Sequence, residues 1–185
     1  SSDERERVTE NRARMAATLG AAPERLLVPF QIHSPDCLVV DAPWTDRPRC
    51  DALATATPGL ALGVTGADCG MILFADISAK VIGAAHAGWK GALTGVIEAT
   101  LAAMETLGAK RADIRVALGP TIGPQSYEVG PEFFAQFEAQ AKDHARFFAP
   151  SRKAGHYMFD LPAFIGMRAT SAGVASFENL GLDTY

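Results

Sequence analysis

The chain has 185 residues, 48% of them hydrophobic, and 17 Lys and Arg against 21 Asp and Glu give a formal net charge of -4. That length suits one sizeable core, and the acidic balance lacks the basic excess with which proteins bind nucleic-acid phosphates. No apolar run approaches the ~20 residues of a membrane span, and the charged start, Ser1-Ser2-Asp3-Glu4-Arg5, is not a signal peptide's apolar core, so a cytoplasmic protein is expected. Cys37, Cys50 and Cys69 form neither an even framework nor a Cys-x-x-Cys pair, which makes a ligand or nucleophile the expected role for any special cysteine.

Asp3 to Leu19 is dense in charge with Val8, Met15 and Leu19 at helical spacing, and Gly20 supplies a stop, so a largely solvated amphipathic helix is predicted. From Arg25 to His33 the alternation of Leu26, Val28, Phe30 and Ile32 reads as a strand, with Pro29 marking an edge. A second extended run, Cys37 to Asp41, follows the turn residues Ser34-Pro35-Asp36, and the two would pair as a hairpin. The short apolar runs beginning at Asp51, Leu60, Met71 and Val81 read as strands buried on both faces. One helix is predicted through Leu93, Val96, Ile97, Thr100, Leu101, Met104 and Leu107, closed by Gly108. Ile114 to Leu118 is a further strand, and Pro131 and Pro162 open two shorter helices, the second with Asp160 as N-cap. Strands and helices interleave irregularly without repeat or linker, the pattern of one α+β domain.

His33 and His86 each end a predicted strand, and Cys69 lies in Ala67-Asp68-Cys69-Gly70 between two apolar runs. Their separations are not those of a local zinc finger, so only the fold can bring them together. If it does, a thiolate and two neutral imidazoles offer three zinc ligands with an open fourth position, or a copper site if an axial Met is available. Two other readings use the same residues: a buried, inert cysteine beside hydrogen-bonded histidines, or Cys69 as nucleophile with His86 as general base. Asp51 and Asp68 are the nearest carboxylates in sequence, candidates for proton donor or for a partner behind a ligand. Gly88-Trp89-Lys90-Gly91 at a helix start could meet an anion through backbone N–H groups and the Lys90 ammonium. It is not a P-loop, and Gly59, Gly63 and Gly66 miss the dinucleotide spacing.

Taken in order, Gln31-Ile-His33-Ser, Asp51-Ala-Leu, Ala67-Asp-Cys69, Ala85-His86-Ala-Gly-Trp-Lys-Gly, Gly119-Pro-Thr-Ile-Gly and Ser126-Tyr-Glu-Val-Gly resemble the laccase-domain family. Its members are named polyphenol oxidases, purine nucleoside phosphorylases or peptidoglycan editing factors. The resemblance runs from about Asn11 to Tyr185 and implies a four-layer α/β/β/α sandwich with mixed sheets. It implies a zinc site on His33, Cys69 and His86, and phosphorolysis of adenosine, inosine and methylthioadenosine with adenosine deamination as a second activity. The partners so implied are a small nucleoside and phosphate, with no nucleic acid or membrane. In this reading Lys90 binds phosphate, and Cys69 and His86 serve as metal ligands or as a catalytic dyad. Editing of cell-wall precursors and non-catalytic metal binding are the alternatives. Multicopper laccase chemistry needs many paired imidazoles, whereas this chain has 4 histidines and no His-x-His. Three positions depart from the family pattern: Gly66 for Thr, Lys90 for the commoner Arg, and Asp183 for the Cys of a Cys-Thr-Tyr motif. Residues 1–185 are thus expected to form one laccase-like domain without the family's glycine-rich first segment and its Ser-Tyr-Arg-Arg end.

Overall fold

The computed structural model describes residues 4–185. Its centre is a mixed sheet of six strands, β2 (Cys37–Val39), β3 (Ala52–Thr55), β5 (Gly70–Asp76), β6 (Val81–Ala87), β7 (Arg115–Leu118) and β11 (Ser176–Asn179). Their order across the sheet is β11-β7-β5-β6-β3-β2. The β3, β6, β5 and β7 neighbours run antiparallel, while β2 on β3 and β11 on β7 are parallel edge pairings. Alternation decides what each face meets. Ala52, Ala54, Ile72, Phe74, Val116 and Leu118 pack with Ile97, Leu101 and Met104 of α3 (Val96–Thr106) and Phe164 and Ile165 of α5 (Leu161–Ser171). Asp160 caps α5 by accepting from the Ala163 N–H at 2.9 Å, a contact worth roughly 1 kcal/mol. The Arg168 guanidinium joins α5 to Glu98 of α3 at 2.6 Å.

On the opposite face lies a second, two-stranded sheet, β1 (Leu26–Leu27) parallel to β4 (Ala61–Leu62). Leu27 and Leu60 pack onto Cys50 and Leu53, while Leu26 and Ala61 face Ala16 of α1 (Arg5–Thr18). Helices, large sheet, small sheet and α1 therefore stack in the expected α/β/β/α order, and the fold is α+β with mixed sheets. Where the small sheet stops, the large one keeps an apolar surface: Leu73 is 59% exposed, beside Ile82 and Ala117, around a cavity of about 630 Å³. Among the described residues no helix is long and apolar enough to cross a membrane.

Several predicted elements change in place. The strand from Arg25 stops at Leu27, because Pro29 has no N–H for a ladder and Arg47 takes the carbonyls of Val28 and Pro29 at 2.9 and 2.7 Å. No hairpin with β2 forms, since β1 pairs with β4 and β2 with β3. The long helix breaks at Gly95, whose φ of 106° separates α2 (Trp89–Thr94) from α3. In α1 the buried residue is Ala16, and Val8, Met15 and Leu19 are exposed. Burial on both faces holds for β3, but β5 alternates, which is why Leu73 is open. A three-stranded antiparallel sheet with no predicted counterpart, β8 (Glu128–Val129), β10 (Tyr157–Phe159) and β9 (Phe148–Pro150), packs beside α4 (Pro131–Gln140) and the aromatic side chains around Phe137.

Asp76, at the end of β5, holds two connections at once, accepting from the Ala79 N–H at 2.9 Å and the Lys110 N–H at 3.0 Å. Those bonds, Ala79's foremost, hold its carboxyl below the ordinary value. A depressed folded pKa gives stability that is fully present above the unfolded value of about 4 and is lost as pH falls through the folded one. Asp76→Asn is therefore expected to be less stable than the parent by a constant margin from pH 7 to about 5, narrowing below about 4. Denaturant unfolding across that range checks this; a margin unchanged down to pH 3 contradicts it.

Candidate metal centre

Strand pairing explains how three residues so far apart in sequence converge. Cys69 immediately precedes β5, His86 is the penultimate residue of β6, and the antiparallel register sets Gly70 opposite Ala87 and Met71 opposite His86. Both side chains thus come to one end of the sheet. Next to β6, β3 begins there too, and the His86 N–H donates to the Asp51 carbonyl at 2.8 Å. His33 arrives on a turn with φ of 60°, a left-handed conformation uncommon outside glycine. Gln31 ties that turn to the segment before Cys69: its amide donates to the Thr65 carbonyl at 2.6 Å and accepts from the Thr65 N–H at 2.8 Å.

The donor atoms of His33, Cys69 and His86 all lie within 4.8 Å of one another. Cys37, Cys50, His144 and His156 stand outside this group. His86 is 4% exposed, Cys69 is half-buried and His33 faces solvent, so the group opens on the His33 side. The two imidazoles meet edge to face, with centroids 4.9 Å apart. His86 Nδ1 lies 2.8 Å from Asp51 Oδ1, which leaves Nε2 for the centre. Gly88 makes the close approach possible, since a Cβ there would fall 2.8 Å from Cys69 Sγ and 3.4 Å from the His33 ring. Two imidazoles, one sulfur and an open side match a three-ligand zinc site, so the residues fit such an ion.

Burial pushes the Cys69 thiol up, and the negative charges of Asp68 and Asp51 add to it. A cysteine nucleophile needs the reverse, a depressed thiol. A bound cation would supply the charge that favours the thiolate. Cys37 and Cys50 are likewise raised by burial, to about 12 and about 11, and are packing residues.

Beyond Cys69, hydrogen bonds link Asp68 and Asp183 to the 119–126 loop. Asp68 accepts from Thr184 Oγ1 at 2.9 Å, and its carbonyl accepts from Thr121 Oγ1 at 2.7 Å and the Ile122 N–H at 2.9 Å. Asp183 accepts from the Gly123 N–H at 2.9 Å and from Ser126 Oγ at 2.8 Å, so this acidic side chain tethers the 119–126 loop. Gly66 has room, its nearest neighbour to an added Cβ being the Cys69 carbonyl at 3.4 Å. Burial first, then the charges of Cys69 and Asp68, pushes the Tyr127 phenol up to about 12. Lys90 stands exposed in the first turn of α2, four residues past His86.

Fold and site together define an α+β protein with a preformed two-histidine, one-cysteine centre at the end of a mixed sheet. The sequence model of the family described as multi-copper polyphenol oxidoreductase laccase matches residues 1–185, and the chain belongs to that family. It is 37% identical over 160 residues to a protein of Rickettsia conorii named purine nucleoside phosphorylase, covering 86% of this chain and 66% of that one. To a Pseudomonas aeruginosa protein of the same name it is 36% identical over 183 residues, covering 99% and 72%. This chain thus spans about two thirds of the length of such relatives. Among solved structures it resembles a Neisseria meningitidis protein of the DUF152 family, at a TM-score of 0.87 and 30% identity over 99% of this chain and 73% of that one. YlmD from Geobacillus stearothermophilus gives 0.88 and 28%, covering 99% and 72%.

Proposed function

We propose that this centre is the zinc site of a cytoplasmic purine nucleoside phosphorylase acting on adenosine, inosine and methylthioadenosine, with adenosine deamination as a second activity. The observation that carries the reading is the convergence of the His33, Cys69 and His86 donor atoms within 4.8 Å; the name shared by the Rickettsia and Pseudomonas relatives supplies the reaction class. His33, Cys69 and His86 would hold a zinc ion, which would supply Lewis acidity when bound, and copper suits the same donors.

In phosphorolysis a phosphate oxygen bonds to the ribose anomeric carbon while the glycosidic bond breaks, and the purine leaves with the electron pair and takes up a proton. The chain's own residues divide that work. The exposed Lys90 ammonium, in the first turn of α2, would offer charge to phosphate. Gly88 keeps the space between Cys69 and His33 free of side chain. In deamination water replaces the purine amino group and ammonia leaves, with no phosphate consumed.

The test is turnover of adenosine by the zinc-loaded protein with and without phosphate. Adenine and ribose 1-phosphate formed only with phosphate, and inosine and ammonia formed without it, are the expected products. Zinc-loaded protein that turns over none of the three nucleosides in either condition contradicts the reading.

A further inference from the structure

Asp51 is not one of the three donors, yet its carboxylate touches both histidine-bearing segments. Oδ1 lies 2.8 Å from His86 Nδ1. Oδ2 accepts the main-chain N–H groups on either side of His33, from Ile32 at 3.0 Å and Ser34 at 2.7 Å. The side chain is 0% exposed, and β3 fixes it: the Asp51 and Ala52 N–H groups donate to the Asp36 carbonyl, and the Asp51 carbonyl accepts from His86. An ionised carboxylate can only accept, so the proton between it and His86 sits on Nδ1, and the Nε2 lone pair faces the centre.

We propose that Asp51 is the positioning residue of the site, setting the His86 tautomer and the His33 turn with one side chain so that both imidazoles aim at one point. The inference rests on reading His33, Cys69 and His86 as a metal centre. A histidine at φ of 60° is held in a sparsely populated conformation, and two N–H bonds to a buried charged acceptor are what over-determine it. A carboxamide of the same shape cannot do both jobs. Its NH2 turned toward Ile32 and Ser34 sets donor against donor. Turned toward His86, it requires Nδ1 to accept, which moves the imidazole proton to Nε2 and removes a lone pair from the centre.

The experiment uses metal-free wild-type protein and Asp51→Asn, with imidazole 15N NMR at a pH where the rings are neutral, and zinc affinity by competition with a chromophoric chelator. In the wild type, His86 is expected as the Nδ1–H tautomer. In Asp51→Asn the Nε2–H form should appear and zinc affinity should fall ten- to a hundredfold, with unfolding still cooperative. A merely structural role would lower stability without moving the tautomer. An Nε2–H His86 in the wild type overturns the proposal, and so does zinc affinity in Asp51→Asn within twofold of the parent. If Asp51→Asn does not fold, the wild-type tautomer still decides. If wild-type protein takes up no zinc, the metal reading itself fails, while the tautomer in that same sample still upholds or overturns the hold of Asp51 on His86.

Discussion

With the proposed phosphorylase activity, His33→Asn is expected to abolish phosphate-dependent nucleoside turnover, a loss well beyond a hundredfold, while leaving the metal-free protein as stable as its parent. The donors differ in where they sit. His86 is buried against Asp51, so removing its ring also strands a buried carboxylate oxygen, at a cost of several kcal/mol. Loss of activity in His86→Ala would thus mix a missing ligand with a damaged fold. His33 faces solvent, and its backbone is the only demanding part, with φ of 60°. Asparagine tolerates that left-handed conformation better than most residues, so the turn and its bonds to Asp51 should survive. A missing ligand should cost more zinc affinity than the ten- to hundredfold expected for loss of an outer partner. Steady-state turnover and thermal unfolding of the metal-free proteins, run side by side, check this. Full turnover in His33→Asn would remove His33 from the mechanism.

Phe137→Ala carries the largest expected effect on stability, about 3–5 kcal/mol. Phe137 is wholly buried on α4, with the rings of Phe159, Phe164, Phe133 and Phe148 at 4.8, 5.0, 5.1 and 5.4 Å. Those rings come from four different segments, so no single side chain can move in to fill the void. They also back Trp89, which opens α2 behind the candidate centre and meets Phe133 in a tilted contact with centroids 4.9 Å apart. For a chain of this size the loss corresponds to a fall in Tm of roughly 6–20 °C. Calorimetry of variant and parent measures it; a fall under about 2 °C would mean that α4 does not form part of the cooperative core.

The sequence pattern reveals this fold where burial is dense and local chemistry is strong. The apolar runs of β3, β5, β6 and β7, the Pro162 start and Asp160 cap of α5, and the Gly108 stop after α3 are each legible from a few neighbouring residues. The strands of β8 to β10 are not, because each has only two or three residues and takes its shape from pairing across the chain. The same holds for β1, whose partner β4 lies more than 30 residues away and whose alternating run promised a longer strand. Gly95 could be read as tolerated within a helix; its break becomes visible only once α5 places Arg168 against Glu98 and Leu93. At the site, the residue types of His33, Cys69 and His86 suggested their chemistry, but their convergence comes from the β5–β6 register. Asp51 was legible as a nearby carboxylate. Its grip on the His33 turn was not, since bonds from a side chain to backbone N–H groups leave no signature in residue types.

The most direct test of the central claim is elemental analysis of protein purified without chelators or a histidine tag, compared with Cys69→Ser prepared identically. The parent is expected to carry close to one zinc per chain, and the variant to lose it. Metal-free parent protein in which Cys69 is rapidly alkylated would contradict it, and would make the cysteine itself the reactive group.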